Sequence, residues 1–294
     1  MTIMEALNWG REQLKKTETE KHFGKSNTML DAQVLLAFCI NKPTAFLFTH
    51  FDDPISDGSL QKFQDLINQR SKHEPVAYLT GEKEFYNRAF KVNPSVLIPR
   101  PDTEAMIEII KEIARPESVI LDIGTGSGAI AVTLAAELSL PLVAIDISEA
   151  ALEVARSNAE RHKVEYLISF LNGNLLEPFF ESNVKVSNDK HAIICANLPY
   201  IRIANWQYLD PDVKDFEPRS ALIGGVDGLE FYRELMRQIH EHRNIFPIET
   251  DVILEIDPSQ ELGAPSMIRE YFPNAQIKIE RDLSGKSRVV VVRI

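Results

Sequence analysis

The run Asp122-Ile123-Gly124-Thr125-Gly126-Ser127-Gly128-Ala129 lies between an apolar stretch that reads as a strand and one that reads as a helix. Glycines in that place let the backbone turn tightly and approach a ligand, and the first N–H groups of the helix point at it. Asp146 closes the next apolar stretch, 22 residues after Gly124. A carboxylate at that position can accept from both hydroxyls of a ribose. The loop alone leaves the cofactor open: Gly124-x-Gly126-x-x-Ala129 fits the relaxed dinucleotide pattern, and Gly124-x-Gly126-x-Gly128 fits S-adenosylmethionine. Further on, Asn197-Leu198-Pro199-Tyr200 follows the strand-like Ala192–Ala196. If that strand neighbours the first one, its carboxyl end faces the same crevice. An asparagine there offers an acceptor and a donor in one plane. That suits an amide or an exocyclic amine, whose N–H groups need acceptors while the nitrogen attacks an electrophile. Pro199 biases Leu198 towards an extended backbone, so the Leu198 carbonyl can be a second acceptor, and Tyr200 can pack on the planar group.

Other candidates carry less. Gly285-Lys286-Ser287 imitates the end of a phosphate-binding loop, but Glu280 stands where its first glycine belongs and a strand follows. His240-Glu241-His242 puts two histidines on different helix faces, and no other cluster has ligand spacing, so no metal is expected. The acidic pairs Asp210/Asp212 and Asp215/Glu217 read as a solvated loop.

These residues need a scaffold, and the chain's pattern supplies one. With 294 residues the chain has room for two domains, and its 44% hydrophobic content fits a full core. The net charge of −11 argues against a broad grip on nucleic acid, which needs a phosphate-neutralising surface. Cys39 and Cys195 read as reduced core residues rather than a disulfide framework. No run approaches a membrane span, and the opening residues read as an amphipathic helix without a signal peptide's apolar region, so a cytoplasmic protein is expected. Ile3, Ala6, Leu7 and Leu14, then Leu30, Val34, Leu35 and Phe38, then Leu60, Phe63 and Ile67 mark helices in the first 70 residues. Thr28-x-x-Asp31 reads as the cap of the second. Residues 71–99 change texture, with a hairpin around a turn at Asn87-Arg88. A helix opens at Pro101, with Met106, Ile109, Ile110 and Ile113 as its buried stripe. After Pro116, short apolar strands alternate with helices, the signature of a parallel sheet. Gln276–Arg281 and Arg288–Ile294 are joined too closely for a helical crossover and must form an antiparallel hairpin.

The glycine loop, the ribose acid and the Asn-x-Pro-Tyr tetrapeptide together resemble a class I amino-methyltransferase that uses S-adenosylmethionine. More specifically, Ala77-Tyr78-Leu79-Thr80-Gly81-Glu82-Lys83-Glu84-Phe85-Tyr86 and Leu97-Ile98-Pro99-Arg100-Pro101-Asp102-Thr103-Glu104 resemble the HemK/PrmC family. So do Glu217-Pro218-Arg219-Ser220-Ala221-Leu222-Ile223-Gly224-Gly225 and Asp282-Leu283-Ser284-Gly285-Lys286. The resemblance runs from the first helices to the last strand. It implies N5 methylation of the glutamine in the Gly-Gly-Gln loop of class 1 peptide chain release factors. It also implies a class I methyltransferase domain with a Rossmann-like sheet over residues 99–294. Before that domain come a helical substrate-recognition domain over 1–72 and a linker with a β-hairpin over 73–98. Two positions depart from the family pattern. Leu198 replaces the first proline of Asn-Pro-Pro-Tyr, a change shared with rRNA adenine dimethyltransferases, and Asn172-Gly173-Asn174 lacks the usual acid near the adenine.

On this reading Asn197, Leu198, Pro199 and Tyr200 form the catalytic and substrate-binding tetrapeptide, with Arg100 and Glu104 as further walls for the substrate. Gly124, Thr125, Gly126, Ser127, Gly128, Asp146, Asn174 and Leu175 hold the cofactor, together with Asn197. Release factors are the expected partners, with no stable nucleic-acid binding and no membrane. A nucleic-acid adenine-N6 methyltransferase and a dinucleotide-binding oxidoreductase are the alternatives.

Overall fold

The computed structural model describes residues 1–16, 27–182, 190–282 and 284–294. The chain divides into two compact units: Met1–Glu82 with Tyr208–Phe216, and Lys83–Gln207 with Glu217–Ile294.

The first unit is helical: α1 (Ile3–Lys15), α2 (Thr28–Ile40), α3 (Thr44–Leu47), α4 (Asp57–Arg70) and α5 (Val76–Thr80). Thr2 caps α1 through a reciprocal pair with Glu5, the Glu5 N–H donating to Thr2 Oγ1 at 3.3 Å and the Thr2 N–H to Glu5 Oε2 at 2.9 Å. The cap of α2 is Asn27, not Thr28: Asn27 Oδ1 accepts from the Leu30 N–H at 3.1 Å, and Thr28 lies inside the helix, buried. Asparagine caps at least as well as threonine, so the flanking Asn wins the position. Leu7, Leu35, Leu36, Phe63 and Ile67 form the centre of the unit's core. Arg70, at the end of α4, donates to Asp31 Oδ2 and to Asp212 Oδ2, each at 2.7 Å. The second contact ties the short helix α10 (Pro211–Lys214) to this unit, so Asp212 is half of an ion pair rather than a solvated loop charge.

A hairpin of β1 (Glu82–Phe85) and β2 (Arg88–Lys91) follows. Its turn is Tyr86-Asn87, one residue earlier than the sequence suggests. Both residues take the left-handed conformation (φ +49° and +56°), as a tight hairpin turn requires, and Arg88 already belongs to β2. A single 3₁₀ turn, Pro101–Thr103, leads into α6 (Glu104–Ile113), which buries Met106, Ile107 and Ile110 most fully.

The rest of the second unit alternates strand and helix: β3 (Val119–Ile123), α7 (Ala129–Leu138), β4 (Leu142–Asp146), α8 (Glu149–Arg161), β5 (Ile168–Asn172), α9 (Glu177–Glu181), β6 (Ala192–Ala196), α11 (Glu230–Glu241), β7 (Thr250–Glu255), α12 (Gly263–Tyr271), β8 (Gln276–Arg281) and β9 (Ser287–Arg293). They form one seven-stranded sheet in the order β5-β4-β3-β6-β7-β9-β8. Every pairing from β5 to β7 is parallel, and β9 runs antiparallel to both β7 and β8. The β3, β6 and β7 residues are buried throughout, as strands covered by helices on both faces must be. The chain leaves β3 for β4 on one side and later returns to β6 on the other. That reversal of winding opens a crevice at the carboxyl ends of β3, β4 and β6.

Candidate active site

The glycine loop is held in place from both sides. Asp122, fully buried near the end of β3, accepts through Oδ2 from Thr125 Oγ1 at 2.7 Å and from the Ala131 N–H at 3.1 Å. Burial pushes this carboxyl up to about 6, against the pull of those two donors. The Gly124 and Thr125 N–H groups both donate to the Ile145 carbonyl, at 2.8 and 3.0 Å, which pins the loop to the end of β4. Asp146 comes next, and its oxygens already accept from Gly126 N–H at 2.8 Å and Ser148 N–H at 2.9 Å. Burial raises its pKa, and these backbone donors oppose the shift. Each oxygen keeps a second lone pair for a ligand hydroxyl. Gly124 has φ +75°, and a Cβ there would stand 2.8 Å from Leu198 Cδ2, so the loop and the tetrapeptide press directly on one another.

At the end of β6, Asn197 Nδ2 donates to Thr103 Oγ1 at 3.1 Å. That interaction turns the amide nitrogen away and leaves Oδ1 as the side chain's free acceptor. The Leu198 N–H donates to Tyr232 Oη at 3.1 Å. The Tyr232 hydroxyl proton has two acceptors, the Glu255 carbonyl in a short contact and the Leu198 carbonyl at 3.3 Å. With the proton on the nearer one, the Leu198 carbonyl is available to a ligand. Tyr200 Oη donates to Glu255 Oε1 at 3.3 Å, and burial raises the Tyr200 hydroxyl well above its ordinary range.

A cavity of about 710 Å³ opens over these strand ends. Gly124, Thr125, Gly126, Ser127, Asp146, Asn174, Leu175, Asn197, Leu198, Pro199 and Arg100 line it, as does Thr103. Three of the residues expected from the sequence do not. Gly128 begins α7 behind the loop, where a Cβ would meet Ala155 at 3.1 Å. Tyr200 points back to Glu255, and Glu104 Oε1 accepts from the Tyr86 N–H at 2.9 Å, bracing the hairpin turn. Arg100 pairs with Glu217, which is 5% exposed and also accepts from the Ile98 N–H at 3.1 Å. Glu217 is therefore a buried brace for the cavity wall and not a solvated charge. Asn174 Nδ2 donates to Glu177 Oε1 at 2.9 Å, leaving its Oδ1 as an acceptor. Thr103, Tyr232 and Glu255 drew no attention as individual site residues in the sequence. Thr103 sits inside the Leu97–Glu104 motif, Glu255 is a single acid in an apolar run that only the sheet order makes specific, and Tyr232 is one aromatic on the buried face of an amphipathic helix.

Sheet order, glycine loop, strand-end acid and terminal antiparallel strand define a class I methyltransferase fold. A methyltransferase from Pyrococcus furiosus superposes with a TM-score of 0.50 at 19% identity, covering 78% of this chain and 96% of that one. A human methyltransferase 10 domain containing protein gives 0.51 at 14% identity, covering 79% and 96%. The family model for the PrmC N-terminal domain matches residues 5–81, and that for a methyltransferase domain matches residues 114–208. The release factor glutamine methyltransferase of Bacillus anthracis is 33% identical over 300 residues, covering 100% of both chains. That of Bacillus subtilis is 34% identical over 300 residues (100% and 98%), and that of Dictyoglomus turgidum 36% over 293 residues (99% and 98%). The chain belongs to the release factor glutamine methyltransferase family.

Proposed function

We propose that this enzyme transfers a methyl group from S-adenosylmethionine to the side-chain amide nitrogen of the glutamine in the Gly-Gly-Gln loop of class 1 release factors. One observation carries the reading: a free amide oxygen on Asn197 and the Leu198 carbonyl stand together at the end of β6, on the wall of a cavity floored by the glycine loop and Asp146. Two acceptors side by side match the two N–H bonds of a neutral NH2 group.

The cavity suits the cofactor on the chemistry of its lining. Asp146 has lone pairs left for the ribose hydroxyls, the glycine-loop backbone comes close enough for the methionine moiety, and Asn174 and Leu175 flank the adenine side. Bound there, S-adenosylmethionine supplies an electrophilic methyl group on sulfonium. The chain's own work is on the nucleophile. An amide lone pair is delocalised, so the nitrogen attacks weakly unless its environment favours positive charge on it. Asn197 Oδ1 and the Leu198 carbonyl accept its two N–H bonds, fix its direction and stabilise the charge that develops. No side chain is required as a strong base, because the methylated nitrogen is strongly acidic and loses its extra proton to water after the new N–C bond has formed. Arg100, held by Glu217, forms the outer wall.

The helical unit serves release-factor recognition, which places the enzyme in the cytoplasm with its substrate. Among the described residues no helix is long and apolar enough to cross a membrane. Incubation with labelled S-adenosylmethionine and purified release factor tests the reading. Label should enter release factor and not a nucleic-acid oligomer, and the reverse pattern would favour the adenine-N6 alternative.

A further inference from the structure

The ladder between β6 and β7 stops at Ala196 and Leu254. Past its end the buried Leu198 still carries an N–H, and the acceptor it finds is the hydroxyl of Tyr232, at 3.1 Å. Tyr232 comes from α11, is fully buried, and gives its own proton to the Glu255 carbonyl in a short contact. Accepting from one strand end and donating to the next, the hydroxyl adds one further rung to the ladder through a side chain. Burial pushes this phenol well above its ordinary range, so it keeps the proton that the rung needs.

Leu198 is also where the tetrapeptide most needs holding. On one side Asn197 is tied through Nδ2 to Thr103 Oγ1 at 3.1 Å. On the other, the Tyr200 carbonyl accepts from Gln260 Nε2 at 3.2 Å, and the Ile201 N–H donates to the Leu222 carbonyl at 2.9 Å. Between these anchors Pro199 fixes its own φ and has no N–H. Leu198 does neither, and rotation about its φ re-aims its carbonyl, the second acceptor for the target amide. Leucine stands here in place of the first proline of Asn-Pro-Pro-Tyr. A proline ring would hold φ at about −65° and leave no N–H to satisfy.

We infer that Tyr232 is a positioning residue whose hydroxyl, bound to the Leu198 N–H, replaces the constraint of a proline ring and keeps the Leu198 carbonyl aimed at the target nitrogen. The inference rests on the proposed amide methylation and adds what makes leucine workable in this tetrapeptide. Tyr232 does not line the cavity, so the effect belongs to turnover and not to binding.

The test uses the full chain, S-adenosylmethionine and purified release factor, with Tyr232→Phe, Leu198→Pro and the double variant. Tyr232→Phe keeps the ring but strands a buried N–H, and should lower kcat by about 10- to 100-fold. KM for release factor and the calorimetric Kd for S-adenosylmethionine should stay within about twofold of the parent, which also shows that the variant is folded. Leu198→Pro takes away the same N–H but supplies the ring, and should lose only about fivefold. In that background Tyr232→Phe has no N–H left to strand, so the double variant should stay within about twofold of Leu198→Pro. This comparison stands even where Tyr232→Phe alone is too unstable to assay. A hydroxyl that merely stabilised the core would cost the same in both backgrounds. Parental kcat in Tyr232→Phe beside an active parent, or a loss of about tenfold or more from Tyr232→Phe in the Leu198→Pro background, would overturn the positioning role alone. A parent chain that methylates no release-factor glutamine would remove the underlying function, and this role with it.

Discussion

Asn197 and Leu198 do different work although they are neighbours, and substitution separates them. Asn197→Ala removes one acceptor and leaves a substrate N–H unpaired in a desolvated site. Turnover should fall by about 10²–10³, the scale set by loss of one oxyanion-hole contact, with little change in cofactor affinity. Leu198→Pro keeps the carbonyl but deletes the N–H that Tyr232 accepts. That lost bond is worth about 1 kcal/mol, so a drop of roughly fivefold is expected, well short of the asparagine variant. Single-turnover methyl transfer to release factor measures both. A dead Leu198→Pro beside an active Asn197→Ala would contradict the two-acceptor arrangement. Asp122 gives a pH-dependent prediction. Its carboxyl is raised to about 6 by burial, against about 3.9 in an unfolded chain. Between those values the native state holds a proton that the unfolded state lacks, so stability falls as pH rises through this window and stays lower above it. Asp122→Asn keeps an acceptor for Thr125 and Ala131 without the charge. Thermal melts should show the variant gaining on the parent by ~1–3 kcal/mol as pH climbs from about 5 to about 7.5. A pH-independent gap would show that Asp122 is not the titrating group.

The strands, the helices and the terminal hairpin were legible in the sequence because a buried parallel strand leaves a short continuous apolar run and an amphipathic helix leaves a stripe. The glycine loop, Asp146 and the tetrapeptide were legible for a related reason: each stands at a strand end, where a break in the pattern is conspicuous. Long-range braces left no such mark. Glu217 looked like one more acid in an acidic loop, yet it is buried against Ile98 and Arg100, 119 and 117 residues away in sequence. Glu255 meets Tyr200 because β7 lies beside β6, and Tyr232 reaches Leu198 from α11, the helix that precedes β7. Cap and turn assignments slipped by one residue at Asn27 and Tyr86, where neighbouring residue types compete for the same role. One close approach between elements predicts a specific failure. The strand-like Ile201 and Ile223 pair in parallel, which brings Gly224 so near the tetrapeptide that an added Cβ would lie 2.2 Å from the Pro199 carbonyl oxygen. Backbone cannot yield as a flexible side chain would. Gly224→Ala should therefore displace the tetrapeptide and cut methyl transfer at least tenfold, at a stability cost of about 1–3 kcal/mol. Calorimetry should find S-adenosylmethionine affinity much less affected, because the glycine loop and Asp146 belong to other strands. Equal loss of affinity and turnover would show that the two parts of the site are not separable.

At the scale of the whole molecule, the division of labour lies between a helical unit proposed to recognise protein and a sheet that holds the chemistry. A net charge of −11 suits a protein substrate better than a nucleic acid. Arg70 is the residue through which to perturb the helical unit alone, since its side chain is 9% exposed and bridges Asp31 and Asp212 within that unit. Arg70→Met removes the bridge between Asp31 and Asp212, at a cost of ~1–3 kcal/mol after allowance for solvent. Steady-state kinetics should show a raised KM for release factor with the calorimetric Kd for S-adenosylmethionine unchanged. An unaltered KM in a destabilised unit would speak against its recognition role. The central claim is narrower: the atom methylated is the side-chain nitrogen of one glutamine. Peptide mass spectrometry of release factor, treated with the parent chain and with Asn197→Ala, measures it directly. The account predicts a single added methyl on the Gly-Gly-Gln glutamine, absent when that glutamine is replaced by alanine and strongly reduced with the Asn197 variant. Methylation at another residue, or at undiminished level after the glutamine is replaced, would contradict it.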